Sequence, residues 1–227
     1  MDWFRPVDIY CERTDPGFWA EPVNALTNLA FFLAAFVGWF AAKRAGRLDR
    51  WTWTLIVLVA LVGLGSGLFH TFAQRWSGAA DVLAILLFIV AYLGLALWRY
   101  FGARPAEAAA GAVAFLFFSS GVRSAAAATF PPALQPATGY LPALVALAAC
   151  GALLMLRRHP VGVWLLAAAG LFVASLTFRA LDMPLCDVFP MGTHFMWHVL
   201  NGTLLGVLLV AYVRHGGGDE VARPQGS

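Results

Sequence analysis

The chain has 227 residues, of which 61% are hydrophobic and only 12% charged, and its formal net charge is +3. Soluble globular proteins carry about twice that charged fraction, so the composition argues against an ordinary soluble domain and favours lipid as the solvent. The positive charge does not indicate nucleic-acid binding, because the Lys and Arg residues lie in short segments between apolar runs.

Seven stretches are long and apolar enough to cross a bilayer, which takes about 20 residues per helix. We therefore predict an all-α membrane protein, a seven-transmembrane helix bundle. Residues 1–213 are expected to form this single domain, and the Gly-rich, polar residues 214–227 a disordered cytoplasmic tail. The predicted spans are Pro22–Ala42, Thr52–Thr71, Ala79–Trp98, Ala106–Ala126, Thr138–Leu156, Val161–Ala180 and Thr193–Val213.

Basic residues indicate the orientation, because cytoplasmic loops carry an excess of Lys and Arg. Ten of the 15 Lys and Arg residues fall on the side of the C-terminus and of the loops after the first, third and fifth spans. We therefore place the C-terminus in the cytoplasm and, with an odd number of spans, the N-terminus outside. From the short, Ala- and Arg-rich chain we expect a bacterial inner membrane, with the candidate site facing the periplasm.

Few ionisable side chains lie within the predicted spans, and such residues are functional candidates by default. Ser66 and His70 are four residues apart at the end of the second span, and His194 and His198 are four residues apart at the start of the seventh. Asp81 lies near the start of the third span. Residues four apart share a helix face, and the alternation of spans places all five residues at the outer membrane face.

Three imidazoles are enough to hold a catalytic zinc ion, which takes three protein ligands and leaves a fourth position for water. We therefore predict zinc ligands at His70, His194 and His198. Asp81 is the candidate for taking a proton from the attacking water. Ser66 is the candidate for donating a hydrogen bond to the oxyanion of an acyl substrate.

Other interpretations of these residues stay open. A membrane histidine often only bonds a neighbouring helix, and a serine between Gly65 and Gly67 is common where helices pack closely. A triad of Ser66, His70 and Asp81 is conceivable, but it leaves the other two histidines unexplained. The rival functions are a lipid receptor with a structural zinc ion, which needs a fourth protein ligand, and a transporter or proton relay.

A second polar cluster precedes the first span and includes Glu12, Asp15 and Glu21. Carboxylates there are candidate ligands for calcium, which prefers oxygen, whereas a solvated entry loop is the simpler interpretation. Cys11 and Cys186 lie on the predicted outer side. Their spacing leaves open whether they form a disulfide or remain separate thiols.

As an ordered set, these motifs resemble the alkaline ceramidases and the wider seven-span hydrolase superfamily that includes the adiponectin-receptor-like proteins. The resemblance runs from Tyr10 to about Asn201. Its elements are Tyr-Cys-Glu at 10–12, Trp-Ala-Glu-Pro-Val-Asn-Ala-Leu-Thr-Asn at 19–28, Gly-Ser-Gly-Leu-Phe-His at 65–70, Asp81, and His-Phe-Met-Trp-His at 194–198.

The resemblance implies hydrolysis of the amide bond of ceramide or a related N-acyl lipid, which releases a sphingoid base and a fatty acid. It also implies a zinc ion held by His70, His194 and His198, with Ser66 and Asp81 beside it. The lipid substrate is then the expected partner of the chain.

The same resemblance implies a disulfide between Cys11 and Cys186. In the family's eukaryotic members the N-terminal segment holds calcium, and Glu12 and Glu21 match two of its carboxylates. The spacing between these two residues is shorter here, and Asp15 matches a further position only when a gap is placed.

Overall fold

The computed structural model describes residues 2–131 and 135–216, so most of the predicted tail, 217–227, lies outside the described residues. Within them every regular element is a helix, apart from one isolated β-bridge, which confirms the all-α prediction. The helices are α1 (Pro22–Thr27), α2 (Leu29–Ala45), α3 (Arg50–Phe72), α4 (Arg75–Arg99), α5 (Pro105–Thr129), α6 (Gln135–Thr138), α7 (Leu141–Leu156), α8 (Val161–Leu181) and α9 (His194–His215), with a 3₁₀ turn at Met183–Leu185.

Six segments of the described chain are long and apolar enough to cross a membrane: α1 with α2, then α3, α4, α5, α8 and α9. The protein is therefore an integral multi-pass membrane protein. The fifth predicted span, Thr138–Leu156, is shorter in the structure, because a turn at Gly139 and Tyr140 delays the start of α7 to Leu141. Its 16 residues reach about 24 Å, against about 30 Å of hydrocarbon. That α7 crosses the membrane, and with it the total of seven spans, therefore stays a prediction.

The turn between α3 and α4 decides where the candidate residues lie. Ala73 has a left-handed backbone with φ +45°. This conformation ends α3 at Phe72, two residues after His70. Gln74 then caps α4, and its backbone N–H donates to Ser77 Oγ at 3.1 Å. Because α4 starts at once in the opposite direction, Asp81 lies in its second turn at the same end of the bundle as His70.

Close packing of α3 against α4 brings Ser66 beside Asp81. A Cβ atom on Gly65 would lie 2.9 Å from the carbonyl oxygen of Ala80, which is too close for any residue other than glycine. The glycine next to Ser66 therefore serves helix packing, and this packing also assembles the candidate site.

The N-terminal segment lies across the same end of the bundle. The Val7 backbone N–H donates to the Ala73 carbonyl at 2.8 Å. A disulfide joins Cys11 to Cys186, which confirms the pairing that the resemblance implies. The segment is thereby attached both to the α3–α4 turn and to the connection between α8 and α9.

The seven-span topology makes a prediction about the C-terminus. An odd number of crossings puts the two termini on opposite sides, and the excess of Lys and Arg predicts that the C-terminus is the cytoplasmic one. We expect green fluorescent protein fused after residue 216 to fluoresce in a bacterial host, and alkaline phosphatase fused at the same point to be inactive. An active phosphatase and a dark fluorescent fusion would show that α7 does not cross.

Candidate metal centre

His70 on α3 and His194 and His198 on α9 converge in the core of the bundle. At most 1% of the surface of each residue is exposed. The ring centroid of His70 lies 4.6 Å from that of His198 and 5.1 Å from that of His194. One ligand atom from each residue can be chosen so that all three lie within 4.8 Å of one another, close enough to hold a metal ion.

Each of these imidazoles has a buried ring nitrogen that lacks a hydrogen-bond partner in the described structure: Nε2 of His70, Nδ1 of His194 and Nε2 of His198. A buried polar atom without a partner costs about 1–3 kcal/mol. Three such atoms on adjacent rings therefore call for one shared partner, and imidazole nitrogen is a common ligand of zinc and other transition metals. The residues present thus fit a metal ion.

The other nitrogen of two of the rings is held by a side chain. His70 Nδ1 lies 2.6 Å from Glu21 Oε2, and His198 Nδ1 lies 2.9 Å from Thr27 Oγ1. The Thr27 hydroxyl donates to the Val23 carbonyl at 2.8 Å, so it accepts the N–H of His198. Both rings therefore carry hydrogen on Nδ1 and keep Nε2 for a metal, as the partners of metal-ligating histidines generally ensure.

His194 is positioned through its backbone. The N–H groups of Thr193 and His194 donate to Asp182 Oδ1 at 2.8 and 2.9 Å, and the Cys11 N–H donates to the other carboxylate oxygen at 3.1 Å. Asp182 thus lies at the N-terminus of α9, where negative charge is favoured. The Tyr10 ring stacks on the imidazole of His194 with centroids 3.9 Å apart.

Glu21 is a buried residue, 2% exposed, and its carboxylate binds the side chains of Arg13, Asn24 and His70. Its Oε1 lies 2.5 Å from Arg13 Nε, and its Oε2 accepts from Asn24 Nδ2 at 3.1 Å as well as from His70. Burial raises the pKa of the Glu21 carboxyl group above its ordinary value, and the hydrogen bonds from Arg13 and Asn24 oppose that rise.

Ser66 and Asp81 line an apolar cavity between α3, α4, α7, α8 and α9. The cavity contains ≈ 910 Å³ of unfilled space, part of it open to the surroundings. Its wall runs along α4 from Asp81 to Ala96 and along α7 from Tyr140 to Cys150. The cavity is therefore long and apolar, with its polar groups near one end.

Asp81 also lines a second opening together with Tyr10, Arg75, Tyr140 and Arg179. The Oδ1 atom of Asp81 is buried and lacks a hydrogen-bond partner in the part of the chain that the structure describes. The Arg179 guanidinium group acts on this carboxylate electrostatically. Asp81 therefore lies where the apolar cavity meets a polar opening.

The candidate calcium ligands do not meet at one point. Both carboxylate oxygens of Glu12 accept backbone N–H groups at the start of α1, and Asp15 is exposed and accepts from the Gly17 N–H at 2.6 Å. Glu21 faces His70 instead. Over residues 2–131 and 135–216, the histidine cluster is the one group of three or more such side chains close enough to share a metal.

The comparisons with known proteins agree with this geometry. A family model described as Ceramidase matches residues 10–223, which include every candidate residue above. The chain belongs to the ceramidase family. Membership implies a hydrolase that acts on an amide bond of a lipid. A search of curated proteins found no match.

The sequence pattern predicts the histidines of this family member but not the residues that orient them. The sequence indicates Glu21 as a candidate calcium ligand or as part of a solvated entry loop, and it indicates no role for Thr27 or Asp182. Glu21 lies 49 residues from His70 and Thr27 lies 171 residues from His198, so no local spacing pattern could connect them.

We predict that Asp182→Ala leaves three backbone N–H groups without an acceptor: those of Thr193 and His194 at the start of α9 and that of Cys11 in the N-terminal segment. Hydrogen bonds to a charged group contribute about 1.5–3 kcal/mol each, so the free energy of unfolding should fall by about 2 kcal/mol or more. The protein should also retain less metal, because His194 loses its anchor. Thermal unfolding and metal analysis of purified protein measure both effects.

Asp187→Ala is the matched control, because Asp187 lies in the same connection but is exposed. It should leave stability and metal content unchanged. Equal behaviour of the two variants would mean that Asp182 does not position His194.

Proposed function

We propose that this member of the ceramidase family is a zinc-dependent intramembrane hydrolase that cleaves ceramide or a related N-acyl lipid to a sphingoid base and a fatty acid. The observation that carries the proposal is the set of three imidazole nitrogens that have no partner among the described residues. Ser66, one helical turn before His70, and Trp197, next to His198, line the long apolar cavity. A structural zinc site has four protein ligands, whereas a catalytic site has three. The described residues bring three together, which favours catalysis over a receptor with a structural zinc ion.

Zinc held by His70, His194 and His198 would supply a Lewis acid that polarises the amide carbonyl and makes water a nucleophile near neutral pH. The buried position of the three rings excludes competing solvent from the ligand atoms. Glu21, Thr27 and Asp182 hold the rings in place, so that little reorganisation is needed when the metal binds.

Asp81 is proposed as the general base. It takes a proton from the attacking water and delivers it to the amine nitrogen as the C–N bond breaks. Its Oδ1, which has no hydrogen-bond partner among the described residues, and its position where the cavity meets the second opening support this role. A positioned acid–base group contributes about 10²–10⁴-fold to the rate.

Ser66 is proposed as a hydrogen-bond donor to the carbonyl oxygen of the substrate. It lies beside Asp81 in the wall of the cavity, where the amide of a bound lipid would lie. Donors of this kind act on the negative charge that develops in the transition state and contribute about 10²–10³-fold.

The cavity is proposed to hold a hydrocarbon tail of the substrate. From Asp81 to Ala96 the wall extends about 22 Å along α4, and from Tyr140 to Cys150 about 15 Å along α7. The polar head group would lie at the second opening, where Arg75 and Arg179 are found. Water can then enter from the side opposite to the tail.

The first test is hydrolysis by purified protein. We expect ceramide to release a sphingoid base, a chelator to abolish the reaction and added zinc to restore it.

His194→Ala should lose both bound zinc and turnover, because only two imidazoles remain. Asp81→Asn should keep zinc and lose about 10²-fold or more in kcat, measured by product release and metal analysis.

His215→Ala is the matched control, because His215 lies at the opposite end of the same helix. It should keep both zinc and activity. Stoichiometric zinc with normal turnover in His194→Ala would refute the proposal.

A second test concerns the length of the cavity. Cys150 lines its far end, so Cys150→Phe should fill the space that the end of a long chain needs. We expect kcat/KM to fall for long-chain amides and to change little for short-chain amides. Ala149→Phe, at an exposed neighbouring position, should leave the preference unchanged. Equal loss for all chain lengths would contradict the assignment of this cavity to the tail.

A further inference from the structure

Arg13 is a buried cation in the N-terminal segment, only 7% exposed. Its Nε lies 2.5 Å from Glu21 Oε1. Its Nη1 donates to the carbonyl oxygens of Asp15 and Gly17, both at 3.2 Å, and its Nη2 donates to the carbonyl oxygen of His70, also at 3.2 Å. One guanidinium group therefore binds four oxygens that come from three separate parts of the chain.

The four oxygens around Arg13 are of the type that surrounds a hard cation. Calcium sites are built from carboxylate oxygens and backbone carbonyls, and here one carboxylate and three carbonyls point at a single positive group. Arg fits such a set because its planar guanidinium carries five donors and stays charged.

The neighbouring carboxylates are already used in other ways. Glu12 accepts two backbone N–H groups of α1, and Asp15 turns its side chain to the Gly17 N–H. These acids therefore contribute no further oxygen to the group around Arg13.

We propose that Arg13 is a built-in cation that takes the place of a calcium ion in this ceramidase. It compensates the buried negative charge of Glu21 and fixes the orientation of that carboxylate, which in turn holds His70. It also binds the His70 carbonyl directly, so the N-terminal segment and the last turn of α3 are held by one group. The protein accordingly needs zinc but no calcium.

The proposal makes Arg13 a positioning residue for the zinc site and rests on that site being as proposed above. It requires that an isolated buried carboxylate is unfavourable without a partner charge. Removal of the guanidinium leaves Glu21 and three carbonyl oxygens around an empty space, which a small cation can enter.

The first measurement uses the full-length wild-type protein in detergent, with zinc bound. Zinc affinity and melting temperature should be the same in calcium-depleted buffer and in buffer with about 1 mM calcium. That concentration is enough to fill even weak calcium sites of proteins substantially. Equilibrium dialysis with radioactive calcium should show no stoichiometric binding. One bound calcium per chain, or a calcium-dependent rise in zinc affinity, would overturn the proposal.

The second measurement uses Arg13→Ala. Loss of an indirect partner of a metal ligand lowers metal affinity about 10- to 100-fold, and we expect a loss of that size in a competition assay with a chromophoric chelator. Millimolar guanidinium ion or calcium should restore the affinity, because either can occupy the emptied space. Unchanged zinc affinity, or a loss that neither cation restores, would contradict the proposal.

Arg5→Ala is the matched control, since Arg5 belongs to the same segment but is exposed, and it should keep wild-type zinc affinity.

Arg13→Lys retains the charge and should bind zinc more tightly than Arg13→Ala; if it does not, the positive charge is not what matters. If Arg13→Ala does not fold, Arg13→Lys and the wild-type calcium measurements still decide. All of these readouts are made without substrate, so a protein that binds zinc but hydrolyses no ceramide would refute the proposed function alone.

Discussion

Three imidazole nitrogens that have no partner in the described part of the chain, enclosed in a helical core, are the constraint on which the rest of this structure depends. A core that excludes water strengthens every polar interaction within it and makes an unpaired polar atom costly. His70, His194 and His198 would each be unfavourable alone in this position. One metal ion that accepted all three lone pairs would make their convergence favourable, and metal binding would then stabilise this end of the bundle.

The surrounding residues maintain this arrangement in successive layers. Glu21 and Thr27 hold two of the rings through their second nitrogens, and Asp182 anchors the third through the backbone of α9. Arg13 of the N-terminal segment supplies the positive charge that balances the Glu21 carboxylate. The disulfide from Cys11 holds this segment in place. The segment before the first span is therefore part of the candidate metal site, although it contributes none of the three candidate ligands.

The sequence predicts most of the helices and the meeting of the histidines, for a simple physical reason. Helical periodicity puts residues four apart on one face, and each membrane crossing reverses direction, so the end of α3 and the start of α9 must lie at the same face. The length of α7 was not predictable in this way, because the turn at Gly139 and Tyr140 shortens an otherwise continuous apolar run. The partners of the histidines depend on contacts between distant segments, which no spacing shows. The acids of the N-terminal segment suggest a cation site, but only the structure shows that Arg13 already lies among their oxygens.

X-ray absorption at the zinc edge of the purified, active protein tests the central claim most directly. We expect stoichiometric zinc with three imidazole nitrogens and one oxygen at about 2.0–2.1 Å. A sulfur ligand, four protein nitrogens or the absence of bound metal in active protein would contradict a three-histidine site with an open position.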